Sequence, residues 1–205
     1  MSAGPRLPLA RAQDAAKALM TLWHMPTYQC MVVGSVRRQR PDVGDLEFVA
    51  PLPVDPSRDT LYDAIAPTLK AEGLFPNPKA VAVATEGFKR GFKCCSLLAT
   101  LEDAATGART QIPVQINRYA HDEGNRGWIE IMRTGPAEFG PYFLGKWKQA
   151  FNISRDRQAS IDGHLVDAAG DRVRVTSEAD AFRLCRMPYI EPHLRDNLVV
   201  NGRRL

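Results

Sequence analysis

GSVRRQRPDVGDLE, residues Gly34–Glu47, is the segment that says most about both architecture and chemistry in this chain. Gly34 permits close approach of backbone to a ligand, and Ser35 with neighbouring free amides suits phosphate oxygens. Arg37 and Arg38 add positive charge on forked donors that match phosphate geometry. A basic, turn-prone run then leads to Gly44. From Asp45 to Ala50 the pattern alternates as a strand, with Leu46 and Phe48 on one face and Asp45 and Glu47 on the other. Two carboxylates at i and i+2 can hold a divalent cation between them. A phosphate cradle beside such a pair is what phosphoryl transfer requires. The same residues would also make a basic surface loop followed by an edge strand with two solvated acids.

Outward from this segment, Asp14–Leu22 is expected to be a helix with Ala15, Ala16, Leu19 and Leu22 on one face. Tyr28–Val33 reads as a buried strand. Past the stiff Pro51, Pro53 and Pro56 loop, Asp59–Glu72 reads as a second helix. Phe88–Leu101 and Gln111–Tyr119 read as two strands joined by the turn at 104–107, and Trp128–Met132 as a short strand after a polar loop. Beyond Thr134-Gly135-Pro136 come a helix over Tyr142–Ala150 and strand-like runs at Gln158–Val166 and Arg172–Val175. A last helix over Glu178–Leu184 is capped by Thr176-Ser177, with Asp180 three residues beyond Ser177. The domain boundary is expected near Arg133.

The 205 residues suffice for one or two domains, and 44% hydrophobic with 24% charged is an ordinary globular mixture. The chain has no apolar run of membrane-spanning length, and its first ten residues lack the apolar core of a secretory signal. Net charge is +4 and the pI about 9.0, which permits a polyanionic partner without demanding one. Cys30, Cys94, Cys95 and Cys185 form no CxxC, so reduced core thiols in a cytoplasmic protein are expected. Trp23, Trp128 and Trp147 are expected in the core, and no histidine is assigned a role. Lys89, Arg90, Lys93, Lys146, Lys148, Arg155, Arg157, Arg172 and Arg174 are candidates for DNA-backbone contact, each equally suited to a solvated face.

Gly34-Ser35, Arg37-Arg38 and Gly44-Asp45-Leu46-Glu47 resemble the nucleotidyltransferase signature of the X-family DNA polymerases, the DNA polymerase beta group. The resemblance extends over about residues 15–196. Gly87–Cys95 looks like the family's strand entering the palm sheet. Val114-Gln115-Ile116 falls where its third palm carboxylate is expected, and Thr134-Gly135-Pro136 is similar to its turn into the thumb. Thr176–Arg195, with Pro188-Tyr189, Pro192 and Arg195, is similar to its closing segment.

The resemblance implies an α+β fold: a nucleotidyltransferase palm of mixed β-sheet and flanking helices over 1–132, then a small α/β thumb over 133–205. Neither lyase domain nor fingers is expected, as in the smallest viral members. It implies nucleotide binding by Gly34, Ser35, Arg38, Gly44, Thr134 and Gly135. Mg²⁺ or Mn²⁺ would be held by Asp45 and Glu47, with Gln115 completing the catalytic set. Lys93, Arg133, Lys146 and Lys148 would contact gapped or primer–template DNA. The activity implied is addition of a deoxynucleoside triphosphate to a DNA 3′-hydroxyl by a monomer with no membrane association.

Three departures stand out. Glu47 is one methylene longer than the usual aspartate. Gln115 replaces a carboxylate and supplies no charge, so a catalytically impaired protein that binds nucleotide or gapped DNA is the alternative. Asp122, Glu123 and Glu130 are the acids nearby in sequence that would have to substitute. Met132-Arg133 stands where the family has an aromatic pair that helps exclude the ribose 2′-hydroxyl, leaving sugar selectivity open; the choice among DNA, RNA and other acceptors is a separate question that the sequence also leaves open.

Overall fold

A computed structural model describes residues 6–24, 29–55, 59, 61, 63, 65, 81–90, 93–103, 106–200 and 203–204, with the backbone alone at 81–90, 103, 199–200 and 203–204. The architecture is α+β, a mixed sheet with flanking helices. The chain divides into two compact units, 1–118 and 119–205. Among the described residues no helix is long and apolar enough to cross a membrane.

In the first unit, β1 (Leu7–Pro8) leads directly into α1 (Leu9–Leu22). Ala12, Ala15, Ala16, Ala18 and Leu19 are buried on α1. Alanine favours the helix and keeps the buried face thin enough for close packing. Next come β2 (Met31–Val32), the short helical turn α2 (Gly34–Arg37), β3 (Asp42–Val43) and β4 (Leu46–Pro51). Long strands β5 (Val81–Arg90), β6 (Cys94–Asp103) and β7 (Arg109–Tyr119) complete a five-stranded sheet of order β2-β4-β7-β6-β5. β1 pairs antiparallel with β3, Leu7 opposite Val43.

One sheet face carries the core. Leu46, Phe48 and Ala50 of β4, Cys95, Leu97, Ala99 and Leu101 of β6, and Ile112, Val114 and Ile116 of β7 join one buried cluster with α1. Strand alternation then assigns Glu47, Ser96, Gln115 and Asn117 to the opposite face. On the core side Arg118 donates from Nη2 to both carboxylate oxygens of Asp59 at 2.8 Å, a buried pair.

Phe88–Leu101, expected as a single strand, is instead the end of β5 and most of β6, paired antiparallel with Arg90 opposite Cys95. The Gly87–Cys95 strand of the resemblance is divided in the same way. The reversal carries no Asn-Gly or Asp-Gly pair, and alternation continues across it. Of the helix expected over Asp59–Glu72, Asp63 N–H donates to the Asp59 carbonyl at 3.0 Å in helical register. Residues 66–72 of that helix lie outside the described residues.

The second unit holds α3 (Arg126–Thr134), α4 (Phe139–Ala150), α5 (Glu178–Leu184) and the short α6 (Pro192–Arg195). Small hairpins β8 (Ser160–Ile161) with β9 (His164–Leu165), and β10 (Val199–Val200) with β11 (Arg203–Arg204), accompany them. Trp128–Met132 is thus helix rather than strand. Trp128, Ile131 and Thr134 form a buried stripe at helical spacing, and Arg126 Nε pairs with Glu130 Oε1 at 2.6 Å one turn on. This helix packs against α4 and α5, so the division falls between Arg118 and Tyr119 instead of near Arg133.

Aromatic side chains hold the second unit together. Phe143 lies 5.4 Å from Phe182 and 5.9 Å from Trp128, centroid to centroid, and Trp147 stacks on Phe151 at 4.3 Å. All three tryptophans of the chain are buried. Against this cluster sits an enclosed ion pair. Arg195 Nη1 and Nη2 donate to the two Glu178 carboxylate oxygens at 3.0 and 2.9 Å. Tyr189 Oη donates to Glu178 at 2.9 Å, and the guanidinium lies 4.8 Å from the Phe139 ring centroid. Arg195 is 0% and Glu178 2% exposed, so loss of either leaves a buried charge unmatched. Arg195→Met is therefore expected to cost about 3–5 kcal/mol in denaturant unfolding, with at least half recovered in Arg195→Met/Glu178→Leu.

Cys30, Cys95 and Cys185 are buried and Cys94 half-buried, all as free thiols. Burial pushes Cys30 up to about 12, against the pull of Arg118, and Cys185 also up to about 12. A thiol reagent at pH 8 should accordingly modify Cys30 and Cys185 about 10³-fold more slowly in folded protein than in urea. Mass-spectrometric mapping of labelled peptides over time reads this directly.

Candidate functional site

The turn from β2 into α2 is fixed by its partner strand. β2 and β4 pair antiparallel with Val32 opposite Phe48, and Val33 N–H continues the ladder to the Glu47 carbonyl at 2.9 Å. Gly34 then turns with φ +64°, and a Cβ there would run into Oε2 of Glu47, whose Cδ would stand 3.1 Å away. Glycine is favoured here by its conformation, and any side chain in its place would have to displace the end of the Glu47 side chain. The turn closes with Arg38 N–H to the Gly34 carbonyl at 3.1 Å and Arg40 N–H to the Ser35 carbonyl at 3.0 Å.

This geometry brings Gly34 against Glu47 and places Asp45 at the entry of β4. Ser35 Oγ is buried without a hydrogen-bond partner among the described residues. Asp45 is half-buried, and desolvation raises its pKa above the ordinary carboxylate value, against the opposing pull of the Arg38 and Arg6 charges. Arg38 thus lies close enough to Asp45 to act on its charge. Arg6 is a second cation here, its Nη2 3.6 Å from where a Cβ on Gly44 would stand.

β7 neighbours β4 in the sheet, and Gln115 shares the non-core face with Glu47 by alternation. Two residues further along that face, Asn117 is 2% exposed, with neither side-chain amide atom hydrogen-bonded among the described residues. Arg6 and Asn117 join the site only through the tertiary structure. The available signal for Asn117 was its i+2 position after Gln115; Arg6 had none, because β1 brings it in by pairing with β3.

The residues suit one hard divalent cation. Asp45 and Glu47 offer anionic oxygens, Gln115 a neutral carbonyl oxygen, and a cation would offset the burial that holds Asp45 high. Among the described residues no group of three or more His, Cys, Asp and Glu gathers as a metal site. The three acids near Arg133 in sequence are engaged within the second unit. Arg126 pairs with both Glu130 and, at 3.6 Å, Glu123, while Asp122 accepts from Gly124 N–H at 2.9 Å and faces Arg174 at 3.8 Å.

Also in the second unit, Thr134 is buried at the end of α3 and Gly135 follows with φ +69°, its N–H bonded to the Ile131 carbonyl at 3.1 Å. Arg133 Nε is buried without a hydrogen-bond partner among the described residues. Of the candidate DNA-contact cations, Lys93 is exposed before β6. Lys146 Nζ lies 5.8 Å from the Tyr142 ring centroid, and Lys148 Nζ donates to the Arg155 carbonyl at 2.9 Å. Arg157 donates to the Ala168 and Ala169 carbonyls, and Arg172 faces Asp162 at 3.9 Å. The last two and Arg174 thus have local structural partners. The side chains of Lys89 and Arg90 lie outside the described residues.

In comparisons with known proteins, no family model matches the chain, and no curated protein matches it in sequence.

Replacing Gly34 by alanine tests the central contact. Gly34→Ala is expected to destabilise the protein by about 1–2 kcal/mol through the left-handed backbone alone and to swing the Glu47 carboxylate away. Mn²⁺ binding followed by electron paramagnetic resonance should weaken about tenfold or more, on the scale of one displaced ligand contact. Unchanged Mn²⁺ affinity would show that Gly34 does not position Glu47.

Proposed function

We propose that this chain is a divalent-metal-dependent nucleotidyltransferase of the DNA polymerase X type, adding a deoxynucleotide to a DNA 3′-hydroxyl. What supports it is the close approach of Gly34 to Glu47 beside an unpartnered Ser35 hydroxyl, in the unit that also carries Asp45 and, on the neighbouring strand, Gln115. In this scheme Ser35 and Arg38 hold the terminal phosphates and Gly34 and Gly44 leave room for them, with Arg6 adding charge. Asp45 and Glu47 hold Mg²⁺ or Mn²⁺, and Gln115 presents its amide oxygen. Bound there, the cation neutralises triphosphate charge and favours ionisation of the attacking hydroxyl. Thr134 and Gly135 contact the nucleotide's sugar and base, and Lys93, Arg133, Lys146 and Lys148 the DNA backbone. A palm in the first unit, a thumb in the second, a monomeric state and a cytoplasmic location belong to the same proposal.

Gln115 favours a second reading, a protein that binds nucleotide or gapped DNA with little turnover. A neutral amide at a site built for charge removes one preorganised electrostatic group, commonly on the order of 10²–10³ in rate.

The deciding experiment is single-nucleotide incorporation on one-nucleotide-gapped DNA with Mg²⁺ and with Mn²⁺. Polymerase activity predicts extension that Asp45→Asn lowers by at least about 10³, and extension surviving that change would overturn it. Under the second reading, wild type binds without extending and Gln115→Asp restores turnover by on the order of 10² or more. Asp45→Asn carries an independent stability signature. Because the folded pKa lies above the unfolded one, Asp45 contributes stability only as pH falls through the folded value. At pH 7 its charge opposes folding, and the variant without metal should have the higher Tm.

A further inference from the structure

Within the second unit, α4 and the segment after α5 border an open pocket of about 480 Å³ lined by residues that include Tyr142, Lys146, Cys185, the exposed Arg186, Met187 and Ile190. Its volume lies within the ordinary range for small-molecule sites. The lining divides chemically into an apolar part, from Cys185, Met187 and Ile190, and a cationic part, from Lys146 and Arg186. No acid is among the lining residues. Lys146 contacts the Tyr142 ring and no carboxylate, and Arg186 pairs with no acid among the described residues. Two cations without counter-ions beside an apolar wall and an aromatic face call for an anion carrying a flat apolar body.

The backbone supplies a second, independent observation. Cys185 is the C-cap of α5, and Arg186 just beyond it has φ +54°. Its N–H bonds to the Arg183 carbonyl at 3.0 Å, and Met187 N–H to the Phe182 carbonyl at 3.0 Å. Glycine is the residue this left-handed position after a helix favours, and an arginine there is strained.

We propose that this pocket binds an aromatic phosphate monoester, its phosphate held by Lys146 and Arg186 and its ring set against Tyr142, Met187 and Ile190. The site is formed wholly by residues of the second unit and includes neither Asp45 nor Glu47, so it stands whether or not the chain transfers nucleotides.

The probe is 1-naphthyl phosphate, titrated into the full chain by calorimetry and by methyl NMR. Expected are saturable binding with shifts at the Met187 and Ile190 methyls, and affinities for 1-naphthol and for inorganic phosphate each at least tenfold weaker. Arg186→Gly should lose tenfold or more in affinity while Tm stays level or rises, because the strain is relieved. Arg186→Gln, which keeps that strain and drops only the charge, should lose as much with Tm unchanged, and Arg38→Ala should bind as wild type does. Retained affinity in both Arg186 variants would overturn the proposal. So would inorganic phosphate binding as tightly as the probe, methyl shifts confined elsewhere, or loss of binding in Arg38→Ala, which would move the ligand to the Gly34–Arg38 turn.

Discussion

The first unit's candidate chemistry depends on one steric constraint, the contact between the Gly34 backbone and the Glu47 side chain. It welds a helical turn to a strand with no atom to spare. Because Val33 extends the β2–β4 ladder as far as Glu47, the turn cannot begin elsewhere without breaking pairing. Ser35, Arg38, Asp45 and Glu47 are gathered by that one junction. A side chain at Gly34 would set the turn and the carboxylate in competition for the same space.

Electrostatics pull against this packing. Asp45 is desolvated and its charge disfavoured even with Arg38 and Arg6 close by. Burial of a carboxylate without full compensation works against folding, and a bound cation removes that penalty. The ion pairs Glu178–Arg195 and Asp59–Arg118 present the contrast, since each buried carboxylate there accepts two hydrogen bonds from a single guanidinium at close to 3 Å. The acids of these two pairs are matched, whereas the charge at the head of β4 is disfavoured by its burial.

Elements governed by local rules were legible beforehand. Glu178–Leu184 is a helix with the expected bounds, because Ser177 Oγ accepts from Asp180 N–H at 3.1 Å, and capping depends only on residues three apart. The strand at Leu46–Pro51 was legible because alternation places Leu46 and Phe48 in the core and Glu47 across from them. The β5–β6 hairpin was less legible, since Gly91 is the one turn-favouring residue between Arg90 and Cys94 and no Asn or Asp stands beside it. Trp128–Met132 fits a strand and a helix alike from sequence, because five residues with Glu130 as the one polar position are too short a run to show a period. Only the α4 and α5 surfaces that cover Trp128 and Ile131 choose between the two.

By itself the sequence determined the glycine-led turn, the paired acids of β4 and the capped helix of the second unit, all products of short-range sterics and hydrogen bonding. Tertiary structure decided the rest. Strand order brings Gln115 and the buried Asn117 beside β4, the pairing of β1 with β3 carries Arg6 to Asp45, and helix packing moves the unit boundary to Arg118–Tyr119. These relations join residues tens of positions apart. They are settled by which faces bury together, and hydrophobic burial has no direction along the chain by which a local pattern could announce it.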